Sequence, residues 1–271
     1  MAVATPLKTA MHELSDEHRQ WLSSFDPRYL KNWEKMLEAD DEASLTEAAV
    51  RRMLQRHGVA VEPNEGLSGV CGGPDFRCTA NGNRFYVEAT CITRAVAVKR
   101  SGIVDGTSGP APFNVMGMNE AVFSEIQGKA SQCRDLDGPA LVAVGTFHST
   151  AAMVCFKKAL VSRVLTGETK MAWGIDASTG HQVGDTHDAT QLRAAGFLRP
   201  DKTLGVSFAR HSVSGVLLCG VGLEDKQPLG ILHPNPVRPF DPALLPAIEF
   251  GIVKVDRTSM RLQVKWPGGD D

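Results

Sequence analysis

Two acids, Asp75 and Glu88, flank an Asn81-Gly82 dipeptide in the stretch GGPDFRCTANGNRFYVEATC (residues 72–91). Asn-Gly between alternating residues is the strongest short-range signal for a two-residue hairpin, because a type I′ turn needs positive φ at both central positions. With those two residues at the turn, Ala80 faces Asn83, Thr79 faces Arg84, and the same register sets Asp75 opposite Glu88. Alternation supports it: Phe76, Cys78, Phe85, Val87, Ala89 and Cys91 fall on one face, and Asp75, Arg77, Thr79, Arg84, Tyr86, Glu88 and Thr90 on the other. Two carboxylates with Cβ atoms about 5 Å apart are destabilising as a bare pair. The chemistry open to them is therefore cation binding, with the cation between or beside them.

Composition bounds what that cation and its partners are. The chain has 271 residues, of which 42% are hydrophobic, enough to bury a large core. A net charge of −2 argues against a surface coated in positive charge, so any nucleic-acid surface must be local. The six cysteines (71, 78, 91, 133, 155 and 219) lack CxxC spacing and read as buried thiols of a reduced, cytoplasmic protein. No signal peptide and no apolar run of bilayer length is read, so a soluble protein is expected.

The elements that must position the acids can be read around them. Residues 15–39 look helical with a break near Pro27, and residues 44–57 form a helix closed by Gly58. Residues 59–62 read as a short strand before the hairpin. Residues 99–117, rich in Gly, Ser and Pro, read as a mobile flap. A helix follows over 119–133 with Val122, Phe123, Ile126, Ala130 and Cys133 as its apolar stripe. PALVAVGTFHS (139–149) reads as a strand buried on both faces, and 151–165 as a further helix. Beyond it KMAWGID, LGVSFA, SVSGVLLCGVG and EFGIVKV are strand candidates, and the Pro-rich LHPNPVRPF (233–240) has no role legible in its residues.

Helix 44–57, the short strand, Pro74-Asp75, the Val87-Glu88-Ala89-Thr90 run, the helix with Lys129 and strand 139–149 together resemble the core of the PD-(D/E)XK nuclease superfamily. The resemblance covers roughly residues 44–150. It implies an α/β fold with a mixed sheet flanked by helices, a restriction-endonuclease-like core over 44–165, an N-terminal helical cap over 1–43 and a C-terminal α/β extension over 166–271 packed on that core. It further implies an enzyme: a nuclease hydrolysing phosphodiester bonds of nucleic acid, DNA in preference to RNA, with a homodimer open to it. Asp75 and Glu88, with the Ala89 carbonyl, would hold Mg²⁺ or Mn²⁺, hard cations usually bound by one or two carboxylates plus water and substrate phosphate.

The chain departs from the family where Glu-x-Lys is expected: Glu88 is followed by Ala89 and Thr90. Some members take the lysine from the following helix, and Lys129 lies about 65° from the centre of its stripe, at the edge turned toward the sheet. The alternative is an i,i+4 pair with Glu125. Thr90 could bond a metal-bound water, or be an ordinary β-branched strand residue. Glu47 could be the acid of the family's first helix, although Ser44-Leu45-Thr46-Glu47 fits a capping box, the preferred reading. Arg51, Arg52, Arg94, Lys99 and Arg100 could contact phosphates.

Two rival sites and one rival function stand beside this reading. Asp176, His181, Asp185, His187 and Asp188 could build a His/Asp metallohydrolase, against a plain polar loop. Cys71, Cys78 and Cys91 could bind zinc, against simple burial. A catalytically silent relative that binds nucleic acid or a protein is the alternative from another class.

Overall fold

The computed structural model describes residues 4–64, 73–106, 114–154, 157–159, 161–162, 168–191, 196–201, 205–221, 227–256 and 261–269. Three helices, α1 (Ala4–Leu22), α2 (Pro27–Ala39) and α3 (Asp41–Arg56), precede strand β1 (Ala60–Pro63) and the hairpin of β2 (Phe76–Ala80) and β3 (Asn83–Cys91). Helices α4 (Arg94–Ser101) and α5 (Val115–Lys129) lead to β4 (Ala140–Thr146) and the short α6 (Ser149–Val154). Two hairpins follow, β5 (Glu168–Ile175) with β6 (Gln182–Gln191) and β7 (Leu198–Asp201) with β8 (Gly205–Phe208). The last strands are β9 (Gly215–Gly220), β10 (Leu229–Leu232), β11 (Glu249–Asp256) and β12 (Arg261–Lys265).

One eight-stranded sheet runs β1-β2-β3-β4-β9-β10-β11-β12. It is mixed: β3, β4 and β9 are parallel neighbours, as are β10 and β11, and the other pairs are antiparallel. The α/β class with a mixed sheet between helices is thus the observed architecture. The C-terminal strands β9 to β12 continue the same sheet, because β9 pairs directly with β4. A strand as apolar as β4, buried at every residue, needs a strand on each side and a layer on each face.

Both faces are filled. Val50 and Leu54 of α3 pack with Phe76, Phe85, Val87, Leu141 and Leu217 on one face. Met118, Ala121, Val122 and Ile126 of α5 pack with Tyr86, Val142, Val144 and Val216 on the other. The Pro-rich 233–240 segment belongs to the first of these layers through Phe240, which meets Phe85 at 5.2 Å and Phe250 at 5.6 Å.

The hairpin has the expected register, from Phe76↔Val87 to Ala80↔Asn83, and its turn residues have φ of 48° at Asn81 and 74° at Gly82. Other local expectations are corrected. Helix α3 starts earlier than 44, because Asp40 caps it by accepting the Ala43 N–H, with Asp41 and Glu42 favourable in the first turn. The Ser44–Glu47 capping box is therefore not formed; the Ser44 hydroxyl donates back to the Asp40 carbonyl. Lys99, Arg100 and Ser101, read as the start of a flap, end α4, whose cap is Thr93 and whose C-terminus is a left-handed Gly102; residues 107–113 of that flap lie outside the described residues, as do 155–156, 160 and 163–167 of the helix read over 151–165.

Two buried histidines give the fold a pH dependence. His18 lies between Trp21 and Trp33 at 5.1 and 4.8 Å, and burial, assisted by Arg51, lowers its pKa to about 3. His233 is lowered to about 4, again mainly by burial. Each is more basic in the unfolded chain, which therefore takes up protons first as pH falls below about 6.5. Stability is fully present above that pH and is expected to fall by about 1.4 kcal/mol per pH unit per histidine on acidification toward pH 4. Urea midpoints at pH 7 and pH 5 check this: a His18→Phe variant should show a shallower decline, and equal midpoints in the parent would contradict it.

Candidate active site

The hairpin and α5 bring three charged side chains together. Lys129 Nζ lies 2.6 Å from Glu88 Oε1, and Glu88 has no solvent exposure. Glu88 Oε2 accepts the Asp75 N–H at 3.2 Å, while Asp75 Oδ2 accepts the Ala89 N–H at 2.6 Å. The last bond has a clear local cause. The β2–β3 ladder ends at Phe76↔Val87, so the Ala89 N–H lies past the last backbone partner and the Asp75 carboxylate takes that place. Asn64 holds the Pro-Asp segment from the other side, its N–H donating to the Asp75 carbonyl at 2.8 Å and its amide to the Pro74 carbonyl at 2.9 Å.

The cation that two facing carboxylates require is thus present in the chain itself, in Lys129. Its i,i+4 neighbour Glu125 is engaged elsewhere, accepting the Thr90 hydroxyl proton at 2.5 Å. Lys129 and Glu125 occupy one edge of the buried stripe of α5, and the helix is seated so that this edge covers the polar face of β3. Gly117 contributes to that seating: a Cβ there would collide with the Arg100 carbonyl oxygen, so any larger residue would push α5 away from α4.

The cluster keeps negative character. The Cys133 thiol, buried just beyond α5, is pushed up to about 12 by burial and then by Glu88 and Asp75, with Lys129 opposing. Asn64, Glu125 and Cys133 were missed in the sequence. Asn64 precedes Pro74 by ten residues, and Cys133 looks like any stripe residue; only Glu125 has a signal, its i,i+4 spacing to Lys129.

Other expected site residues lie apart. Glu47 sits on α3, whose apolar residues cover the opposite face of the sheet from Glu88, and it lies 3.8 Å from His18. Arg51 is buried against Glu17 at 3.2 Å, with its guanidinium 5.5 Å from the Trp21 ring, so it cannot reach a phosphate in solvent. Arg52 pairs with the same Glu17 at 3.4 Å, Arg94 with Glu42 at 3.0 Å and Arg100 with Glu120 at 3.2 Å. The reason is common to all: helices α3 and α4 face acidic neighbours that no sequence spacing brings into view. Lys99 is exposed on α4.

The rival sites also resolve locally. Residues 176–181 form the turn of the β5–β6 hairpin and 182–188 lie in β6, not in a loop; Asp176 accepts N–H bonds from Ser178 and Thr179 as a turn cap. The side chains of His187 and Asp188 lie outside the described residues, as does Cys71. Cys78 and Cys91 are free thiols, both raised in pKa by burial. Among the described residues no group of three or more His, Cys, Asp or Glu side chains is gathered as a metal site, and no helix is long and apolar enough to cross a membrane.

Fold and site together define an α/β protein whose mixed sheet carries an Asp-Glu-Lys cluster around the buried Glu88. No family model, no curated protein and no solved structure matches the chain.

Proposed function

We propose that the protein is a metal-dependent nuclease that hydrolyses phosphodiester bonds of nucleic acid, DNA in preference to RNA, as a variant of the PD-(D/E)XK pattern with its lysine on the helix after the hairpin. The single observation that carries the reading is the 2.6 Å approach of Lys129 to Glu88, beside an Asp75 locked to the next residue of the same strand. A lysine with no such role would sit more cheaply at the solvated edge of α5.

The donor set fits a hard divalent ion. Two carboxylates, Glu88 buried and Asp75 half-buried just before β2, suit Mg²⁺ or Mn²⁺, which take the rest of their ligands from water and substrate phosphate. Asp75 and Glu88 would hold it. Bound there, such an ion supplies positive charge at the phosphate and makes water more acidic. The chain's own residues do the remainder. Lys129 offers an ammonium to the charge that grows on the phosphate, and its contact with Glu88 holds it ready. Thr90, tied to Glu125, and Asn64, tied to Pro74 and Asp75, fix the two acids in place.

A catalytically silent binding module is the second reading, favoured by the complete burial of Glu88. One assay separates the two. Incubation of the protein with single- and double-stranded DNA and RNA in Mg²⁺, in Mn²⁺ and in EDTA is expected to give cleavage only with a divalent ion. Absence of cleavage of all four substrates in both metals would reject the enzyme.

A further inference from the structure

A cavity of about 690 Å³ opens on the far side of α5, between that helix, β7 and the segment after β8. Phe123, Gln127 and Ala130 line it from the edge of the helix opposite Glu125 and Lys129, at 100° per residue, so it is separate from the acid cluster. Its size lies within the roughly 300–1,000 Å³ of small-molecule sites. Among the described residues its lining contains three arginines, Arg134, Arg199 and Arg210, with His211, and no carboxylate. In a chain of net charge −2 this concentration is local.

Two of the guanidiniums are held in place rather than loose. Arg210 stacks on the Phe123 ring at 4.6 Å and donates to the Gly196 carbonyl at 2.8 Å, from a backbone in the left-handed region at φ 59°. A non-glycine residue held there costs energy and is a mark of functional segments. Arg199 donates from Nε to Ser207 Oγ at 3.0 Å, and Arg134 is exposed at the rim. Among the described residues none of the three is paired with a carboxylate, in contrast to Arg51, Arg52, Arg94 and Arg100. Forked donors lining one cavity match the oxygens of a dianion, and Phe123 and Pro200 offer an apolar wall for the body that carries it.

We infer that this cavity is a binding site for a phosphomonoester on a ring-bearing body of nucleotide size. The phosphate meets Arg134, Arg199 and Arg210, and the body lies toward Phe123 and Pro200. A free nucleotide and the 5′-phosphorylated end of a nucleic-acid strand share this chemistry. The site stands apart from the nuclease reading, and its test reads binding alone, in EDTA.

Calorimetric titration of the full chain with adenosine 5′-monophosphate, adenosine, and a short oligothymidylate with and without a 5′-phosphate decides it. Each phosphorylated probe that binds is expected to do so at least tenfold more tightly than its unphosphorylated counterpart, and Arg134→Ala/Arg199→Ala is expected to weaken it about tenfold or more. Both of these residues are exposed, so the variant keeps its fold, which a thermal melt verifies; Arg210→Ala, which also loses the Phe123 stack, is read beside it. Binding of the mononucleotide assigns a free ligand, and binding of the phosphorylated strand alone assigns a strand end; either supports the site. Equal binding with and without phosphate, no binding of any phosphorylated probe, or an unaltered double variant overturns it.

Discussion

Lys129→Met is expected to lower stability by about 3 kcal/mol or more, the usual cost of stripping one partner from a buried ion pair. Glu88 is wholly inaccessible to solvent and Lys129 Nζ lies 2.6 Å from it, so the methionine would leave a buried carboxylate without the ammonium that balances its charge. At roughly 2–4 °C per kcal/mol for larger domains, the melting temperature should fall by about 10 °C. A second variant separates charge from packing. Glu88→Gln/Lys129→Met removes both charges while keeping both shapes, and should recover most of the loss, because the penalty belongs to the unpaired charge and not to the absent ammonium. If the double variant is as unstable as Lys129→Met, the ion pair is not what the site depends on. Under the proposed function Lys129→Met also lowers turnover by about 10² or more, since it removes charge that acts on the phosphate during reaction.

The other large effect is expected from Asp75→Asn. The substitution keeps the amide-sized shape and an oxygen able to accept the Ala89 N–H, so the hairpin end stays formed. Under the proposed function it removes one of the two carboxylates that hold a divalent ion, and cleavage should fall by about 10² or more. Thermal melts test the metal apart from activity. The parent should gain about 2.7 kcal/mol at a hundredfold excess of Mg²⁺ over Kd, and Asp75→Asn should gain almost nothing. Equal Mg²⁺ stabilisation of both proteins would rule Asp75 out as a ligand. In the metal-free state the variant is not expected to gain the stability that bare repulsion between facing acids would suggest, since Lys129 already offsets it.

What could be read in the sequence was what is local or periodic. Asn81-Gly82 and the alternation around it determine the hairpin and, through the period of two, place Asp75 against Glu88. The continuous apolar run of β4 determined its burial between parallel neighbours, and the stripe of α5 determined which edge of that helix turns to the sheet. Signals that compete locally were misread. Asp40 and Ser44 are both good caps, and the earlier one won because Asp41 and Glu42 suit a first turn. Residues 94–101 carry no helical stripe because α4 buries only Ala97 and Ser101, so their helix was hidden. Only the tertiary structure decided the pairings between segments far apart in the chain. These are the meeting of Lys129 with Glu88, of Thr90 with Glu125, of Arg51 with Glu17, and of β9 with β4. Charged side chains on a helix edge have many partners within reach at equal local cost. Which one each takes depends on where the helix is seated on the sheet, and that seating follows from packing the whole core.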